Sequence, residues 1–365
     1  MPRIQSTIAS LFIIASLSSL SRAQAIPTPL IPVNDSHLRI LGRTDDRDPA
    51  HPRLAYPGTG IEFRLMGTSA ELHVVSDSAA SALTIVVDHG APGLRLLAAG
   101  DNSVSIAMPV DNGPHTVQVY KRTETWQGIL TLNGLSLAPG GTLLDPPPVS
   151  TRKLMFVGDS VTCGVGIDNN AQCTHDPQLP DINPYESYGM LLGRRLDADT
   201  QLVCYGGRGL VRDYRGLTVE DNVLNIPQFV SLAIPADKPE ARAPWDPARF
   251  QPDAIFVSLG TNDMNLEKTK PLDPDKWVAH YVAFLHGVRR DYPRTLIFVT
   301  EGAIVTNPLL AQLVQRAAGD SLDSRVLYTP SQHYPGNGCN GHPTRIQHQH
   351  MADDFEPVLR RALGW

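Results

Sequence analysis

The stretch Leu154-Met155-Phe156-Val157-Gly158-Asp159-Ser160-Val161-Thr162-Cys163-Gly164 decides how this sequence folds. The apolar run Leu154 to Val157 is too short for a helix and ends at a tight Gly-Asp-Ser turn, so it reads as a buried strand. Ala254 to Leu259 and Leu296 to Thr300 are two more runs of the same kind. Between these runs the period changes to that of a helix. Tyr188, Leu191, Leu192 and Leu196 recur at helical spacing, as do Val278, Val282 and Leu285 after the start signal Asp273-Pro274-Asp275. Strands alternating with helices predict a parallel sheet flanked by helices, with chemistry just past the carboxyl ends of the strands.

Upstream of this region the pattern is different. From about Ile26 to Leu144 apolar residues alternate at period two: Ile61, Phe63 and Leu65 around Glu62 and Arg64, Val117 and Val119 around Gln118, Leu130 and Leu132 around Thr131. Turns such as Asp111-Asn112-Gly113-Pro114 separate the runs. One face of each strand is therefore apolar and the other wet, which predicts a β-sandwich. Asp145-Pro146-Pro147-Pro148 fits neither a helix nor a central strand. The expected organisation is a leader over 1–25, a sandwich over 26–144, a linker over 145–151 and an α/β domain over 152–365.

The composition agrees with two globular domains: 365 residues, 42% hydrophobic and 19% charged. With 31 Lys+Arg against 37 Asp+Glu and no basic cluster, nucleic acid is excluded as a partner. Residues 1–25 carry Arg3, the apolar run Ile8 to Leu20 and the small-residue site Ala23-Gln24-Ala25, which together read as a cleavable export signal. No other stretch is long and apolar enough to span a bilayer. The expectation is a soluble exported protein, periplasmic or secreted, with no membrane or obligate protein partner. In that oxidising compartment Cys163, Cys173, Cys204 and Cys339 are disulfide candidates. Four cysteines allow three pairings, and the short loop between Cys163 and Cys173 favours a local bridge. No zinc-type spacing occurs, so neither a metal nor another cofactor is expected.

Three clusters fall where strands should end, and a fourth lies near the C-terminus. Ser160 follows the first strand at a strand-to-helix turn, where free backbone N–H groups surround its hydroxyl. Taken alone, a Gly-Asp-Ser more often marks a helix N-cap. Val203-Cys204-Tyr205-Gly206-Gly207-Arg208-Gly209 offers glycines that let backbone N–H groups approach a developing negative charge. Gly260-Thr261-Asn262-Asp263 adds an amide donor, and Cys339-Asn340-Gly341-His342-Pro343 a histidine.

In this order the four clusters resemble the SGNH (GDSL-type) hydrolases, named for their Ser, Gly, Asn and His. The N-terminal half, with Leu41-Gly42-Arg43, Tyr56-Pro57-Gly58, Val86-Val87-Asp88 and Lys121-Arg122-Thr123-Glu124, looks like the jelly-roll domain of carbohydrate esterase family 2. The resemblance implies Ser160 as nucleophile and His342 as general base. It further implies an oxyanion hole made by the N–H of Ser160, the N–H of Gly207 and the amide of Asn262. It implies a substrate class as well: acetylated plant polysaccharide, xylan or glucomannan, with the sugar 6-hydroxyl as one acetyl position. Most of these hydrolases carry an Asp three residues before the histidine, where this sequence has Cys339. Either Cys339 is disulfide-bonded, with Cys204 a candidate, or a backbone carbonyl orients the ring, and a Ser–His dyad is expected. Asp353 and Asp354 are fallback orienters. Tyr214 is a candidate sugar platform, Trp245 reads more as core, and His333, His348 and His350 read as surface residues. The rival expectations are another SGNH esterase (lipase, thioesterase or peptidoglycan O-acetylesterase) and an inactive carbohydrate-binding protein.

Overall fold

The computed structural model describes residues 29–111, 113–168, 181–332, 334 and 336–365. The expected leader, Cys173 and His333 lie outside the described residues.

Residues Leu38 to Leu144 form two antiparallel sheets packed face to face. In one, the strands Leu38–Leu41, Gly60–Met66, His115–Lys121, Ala82–Val87 and Gly93–Leu96 lie side by side, and Thr142–Leu144 also pairs with Gly60–Met66. In the other, the order is Thr44–Asp45, Arg53–Leu54, Leu130–Leu137, Ser69–Ser76 and Gly100–Ala107. The period-two pattern explains the packing. Along Ser69–Ser76 every second residue, including Ala70, Leu72 and Val74, points into a core shared with Phe63, Leu65 and Val117.

The second half is built on a five-stranded parallel sheet in the order Ala198–Cys204, Arg152–Gly158, Ala254–Ser258, Leu296–Thr300, Val326–Tyr328. Alternate side chains serve opposite faces. Phe156, Phe256 and Phe298 pack with Tyr188 and Phe355 of the helices Tyr188–Arg195 and Arg345–Leu363. Met155, Val157, Ile255 and Val257 pack on the other side against Pro274–Asp291 and Pro308–Asp320. Asp273 caps the first of these helices by accepting from Asp275 N and Lys276 N, as its start signal predicts.

Register aligns the strand ends. Gly158 stands opposite both Cys204 and Ser258, and Ser258 opposite Thr300, so the following turns emerge together. The chain leaves its first strand toward one neighbour and later returns on the other side. This reversal opens a crevice between Gly158 and Ser258, where such sheets bind ligands.

The halves share their cores. Tyr56 of the sandwich is buried and donates its hydroxyl to Phe229 O at 2.8 Å. Arg43, also buried, donates to Val230 O at 2.7 Å and lies 4.5 Å from the ring of Trp245. Trp245 is thus core, with the guanidinium groups of Arg43 and Arg249 both close to its ring.

Candidate active site

Ser160 opens the single helical turn Ser160–Cys163. Asp159 caps that turn, its Oδ1 accepting from Val161 N at 3.0 Å. Across the cleft His342 follows the turn Cys339–Gly341, and its Nε2 lies 2.8 Å from Ser160 Oγ. Its Nδ1 lies 3.0 Å from the carbonyl oxygen of Cys339. A carbonyl can only accept, so Nδ1 carries the proton and Nε2 presents its lone pair to the serine hydroxyl. The carbonyl of Cys339 thus stands where an orienting carboxylate is usual. Asp353 instead pairs with Arg195 at 2.7 Å, and Asp354 accepts from Tyr334. Burial holds the His342 imidazole below its ordinary value, against a smaller opposite pull from the Cys339 carbonyl. Gly166 backs the histidine closely: a Cβ there would stand 2.8 Å from His342 Cβ.

The glycine turn meets this pair from the neighbouring strand. Gly207 has φ +75°, the left-handed conformation that glycine adopts without penalty. Asn262 Nδ2 donates to Arg208 O at 3.0 Å and reaches Asp159 Oδ2 at 3.4 Å, so the amide bridges the serine turn and the glycine turn. Tyr214 donates its N–H to Gly207 O at 2.9 Å, and its exposed ring lies against Gly207. Ser160, Gly207, Asn262, His342 and Tyr214 are therefore brought to one edge of the sheet. A cavity of about 600 Å³ lies elsewhere, between residues 210–231 and the helix Pro274–Asp291. Among the described residues, no group of three or more His, Cys, Asp or Glu could hold a metal ion.

Several supports were not singled out from the sequence. Asp263 is buried and accepts from Leu210 N at 2.8 Å and Val211 N at 2.9 Å, fastening the chain after the glycine turn. Asp168 joins Arg122 of the first half and Arg345 beside the histidine loop, each at 2.5 Å. Glu124, also from the first half, accepts the Gly206 N–H. Burial pushes its carboxyl up to about 7, opposed first by that backbone N–H, and pushes Asp159 up to about 6. Glu124 ends the Lys121-Arg122-Thr123-Glu124 motif and Asp168 belongs to none, and for neither does the local sequence name the partner, which is distant in the chain.

Two expectations are corrected. Cys163 bonds Cys204, with Cα atoms 5.6 Å apart, which overturns both the local Cys163–Cys173 bridge and a Cys204–Cys339 bridge. Gly158 and Cys204 face each other across adjacent strands, and the short turn after Gly158 brings Cys163 back over that end. Cys339 is also disulfide-bonded. His348 is buried rather than on the surface: it lies on the inner face of Arg345–Leu363 with Met351, Ala352 and Phe355. Its Nδ1 accepts from Tyr188 N at 3.1 Å and its ring stacks on Tyr188. His350 is exposed.

A parallel sheet with these clusters at its carboxyl edge, preceded by a β-sandwich, defines an SGNH-type hydrolase with an N-terminal jelly roll. The family descriptions that match agree: Carbohydrate esterase 2 N-terminal over residues 40–147, and GDSL-like Lipase/Acylhydrolase family over residues 156–326. An acetylxylan esterase / glucomannan deacetylase of Cellvibrio japonicus is 34% identical over 96% of this chain and 96% of its own. The solved structure of a family two carbohydrate esterase from Cellvibrio japonicus superposes with a TM-score of 0.84. It is 33% identical, covering 93% of this chain and 98% of that one. One from Clostridium thermocellum, in complex with cellohexaose, has a TM-score of 0.81 at 27% identity, covering 90% of this chain and 99% of that one. The chain belongs to carbohydrate esterase family 2. It is a carboxylic ester hydrolase.

Proposed function

We propose that the protein removes O-acetyl groups from plant polysaccharides, acetylated xylan or glucomannan, through an acyl-enzyme on Ser160. The observation that carries this reading is the 2.8 Å contact between His342 Nε2 and Ser160 Oγ, in the tautomer that can accept the hydroxyl proton. Ser160 Oγ attacks the acetyl carbonyl as its proton passes to His342. The oxyanion is received by the N–H of Ser160, the N–H of Gly207 and the amide of Asn262, whose weaker contact, at 3.4 Å to Asp159, is the one it exchanges. His342 then returns the proton to the departing sugar oxygen, and water repeats the cycle to free acetate.

The substrate class is supported by the printed activity of the 34% identical relative. Cys339 in place of the usual Asp would favour an inactive binding protein if nothing oriented the histidine ring. With a carbonyl on Nδ1 that argument loses its force. Export, to the periplasm or the medium, is part of the proposal: a polymer is met outside the cytoplasm, and the Cys163–Cys204 bridge suits an oxidising compartment. No helix among the described residues is long and apolar enough to cross a membrane.

The test is acetate release from acetylated glucomannan, acetylated xylan and p-nitrophenyl acetate by wild type and Ser160→Ala. Release from a polysaccharide, falling about 10⁴-fold or more in kcat in a folded Ser160→Ala, is the expected result. Retained turnover would discard Ser160, and cleavage of p-nitrophenyl acetate without either polysaccharide would discard the substrate class.

A further inference from the structure

The sandwich half reaches the catalytic edge at one place. After the strand His115–Lys121 the chain runs through Glu124 into the short turn Thr125–Gln127, where Trp126 is 57% exposed. Trp126 is not a stray apolar residue on a mobile loop. Gln127 Oε1 accepts from Glu124 N at 3.0 Å, closing a capping box, and Thr125 Oγ1 donates to Ala55 O at 3.0 Å, so the turn is pinned at both sides.

The Trp126 side chain is a close enough neighbour of Glu124 to help hold its carboxyl down, and Glu124 is the carboxylate that accepts the Gly206 N–H. Glu124 is buried and lies near enough to Asp159, the neighbour of Ser160, to feel its charge. Trp126 is thus one carboxylate away from the Gly206–Gly207 turn, while Tyr214 covers Gly207 directly. Two exposed aromatic rings, one from each half of the chain, are thereby tied to one turn, Tyr214 by contact and Trp126 through Glu124, two residues before it. A large ring kept exposed on a turn pinned at both sides offers an apolar face at little ordering cost. Pyranose rings present apolar C–H faces of matching size.

We propose that Trp126 is a sugar-stacking platform which the N-terminal half contributes to the esterase site, engaging a backbone sugar of the acetylated polysaccharide beside the ring on Tyr214. Glu124, two residues before Trp126, ties this turn to the glycine turn. The inference rests on the proposed esterase function.

The test compares wild type, Trp126→Ala and Trp126→Phe on acetylated glucomannan oligosaccharides and on p-nitrophenyl acetate, which has no sugar to stack. The quantity read is the ratio of kcat/KM on the oligosaccharide to that on the small ester. The ratio is expected to fall about tenfold in Trp126→Ala, equivalent to about 1.4 kcal/mol. In Trp126→Phe, which keeps an aromatic face, it is expected to stay within about threefold of wild type. An unmoved ratio in Trp126→Ala overturns the proposal. So does an equal fall on both esters, which would assign Trp126 to holding the glycine turn. Failure of the esterase reading itself is distinct, because wild type would then show no Ser160-dependent turnover of the oligosaccharide.

Discussion

The two turns that meet at the catalytic edge are held in opposite ways. The serine turn is a local construction: Asp159 caps its own turn through Val161 N, and Cys163 N closes it on Asp159 O at 3.1 Å. The glycine turn is held from afar. Glu124 grips Gly206 from 82 positions upstream, and Asp263 fastens Leu210 from 53 positions downstream. A capped helical turn fixes its own peptide planes, that of the Ser160 N–H included, whereas the Gly207 N–H lies in a glycine turn with no helix to hold its peptide plane. The first can be written in a few consecutive residues. The second requires other parts of the fold.

The Cys163–Cys204 bridge joins the two turns directly, so its removal should have the largest effect on the comparison. It closes a loop of 41 residues, and its loss from a Cys163→Ser, Cys204→Ser variant should destabilise the fold by about 4 kcal/mol in the chain-entropy account. Urea unfolding monitored by far-ultraviolet circular dichroism reads that change, and a loss well under 1 kcal/mol would show that the turns are aligned without the bridge.

The remote grip is tested next. Glu124→Ala deprives the Gly206 N–H of its acceptor, at a cost of about 2 kcal/mol. If the grip positions the oxyanion turn, the cost appears as a fall of roughly tenfold or more in kcat on p-nitrophenyl acetate with KM little changed. Glu124→Gln, which keeps an acceptor of the same shape, should recover most of it. A loss of melting temperature with kcat intact would make Glu124 a packing residue and blunt the contrast between the turns.

The smallest effect concerns the histidine they serve. His342 must be neutral to accept a proton, so activity is present above its pKa and lost as pH falls through it. Burial lowers that pKa, placing the acid limb below the unperturbed value near 6.5. The profile of kcat/KM on p-nitrophenyl acetate should therefore stand above half of its plateau at pH 6.5. The limb should persist in Asp159→Asn, since Asp159, pushed up to about 6, titrates nearby. A limb above 6.5 would contradict the buried neutral imidazole.

The same contrast explains what could be read from the chain. The run Leu154 to Val157, the helix start at Asp273-Pro274 and the alternation around Leu72 and Val74 are local patterns, and each became the element its period predicts. Ser160, Gly207 and Asn262 stand beside strand ends, so a reading of strands leads to them, whereas His342 follows the turn Cys339–Gly341, past the last strand, and is reached through the set it completes. Glu124 is legible only as the end of a family motif and its role is not, because its partner is set by how the sandwich docks. The disulfide escaped for a related reason: sequence distance favours Cys173 for Cys163, but pairing of adjacent parallel strands puts Cys204 closer. His348 reads as a polar helix residue until the helix Arg345–Leu363 is laid on the sheet, where it falls on the inner face.

The account stands on Ser160 carrying the acyl group. Acid-quenching the wild-type enzyme during turnover of p-nitrophenyl acetate, followed by peptide mass mapping, tests this directly. The account predicts one acetyl adduct, on the peptide containing Ser160, and its absence from Ser160→Ala. An adduct on any other residue, or turnover by Ser160→Ala without one, would contradict it.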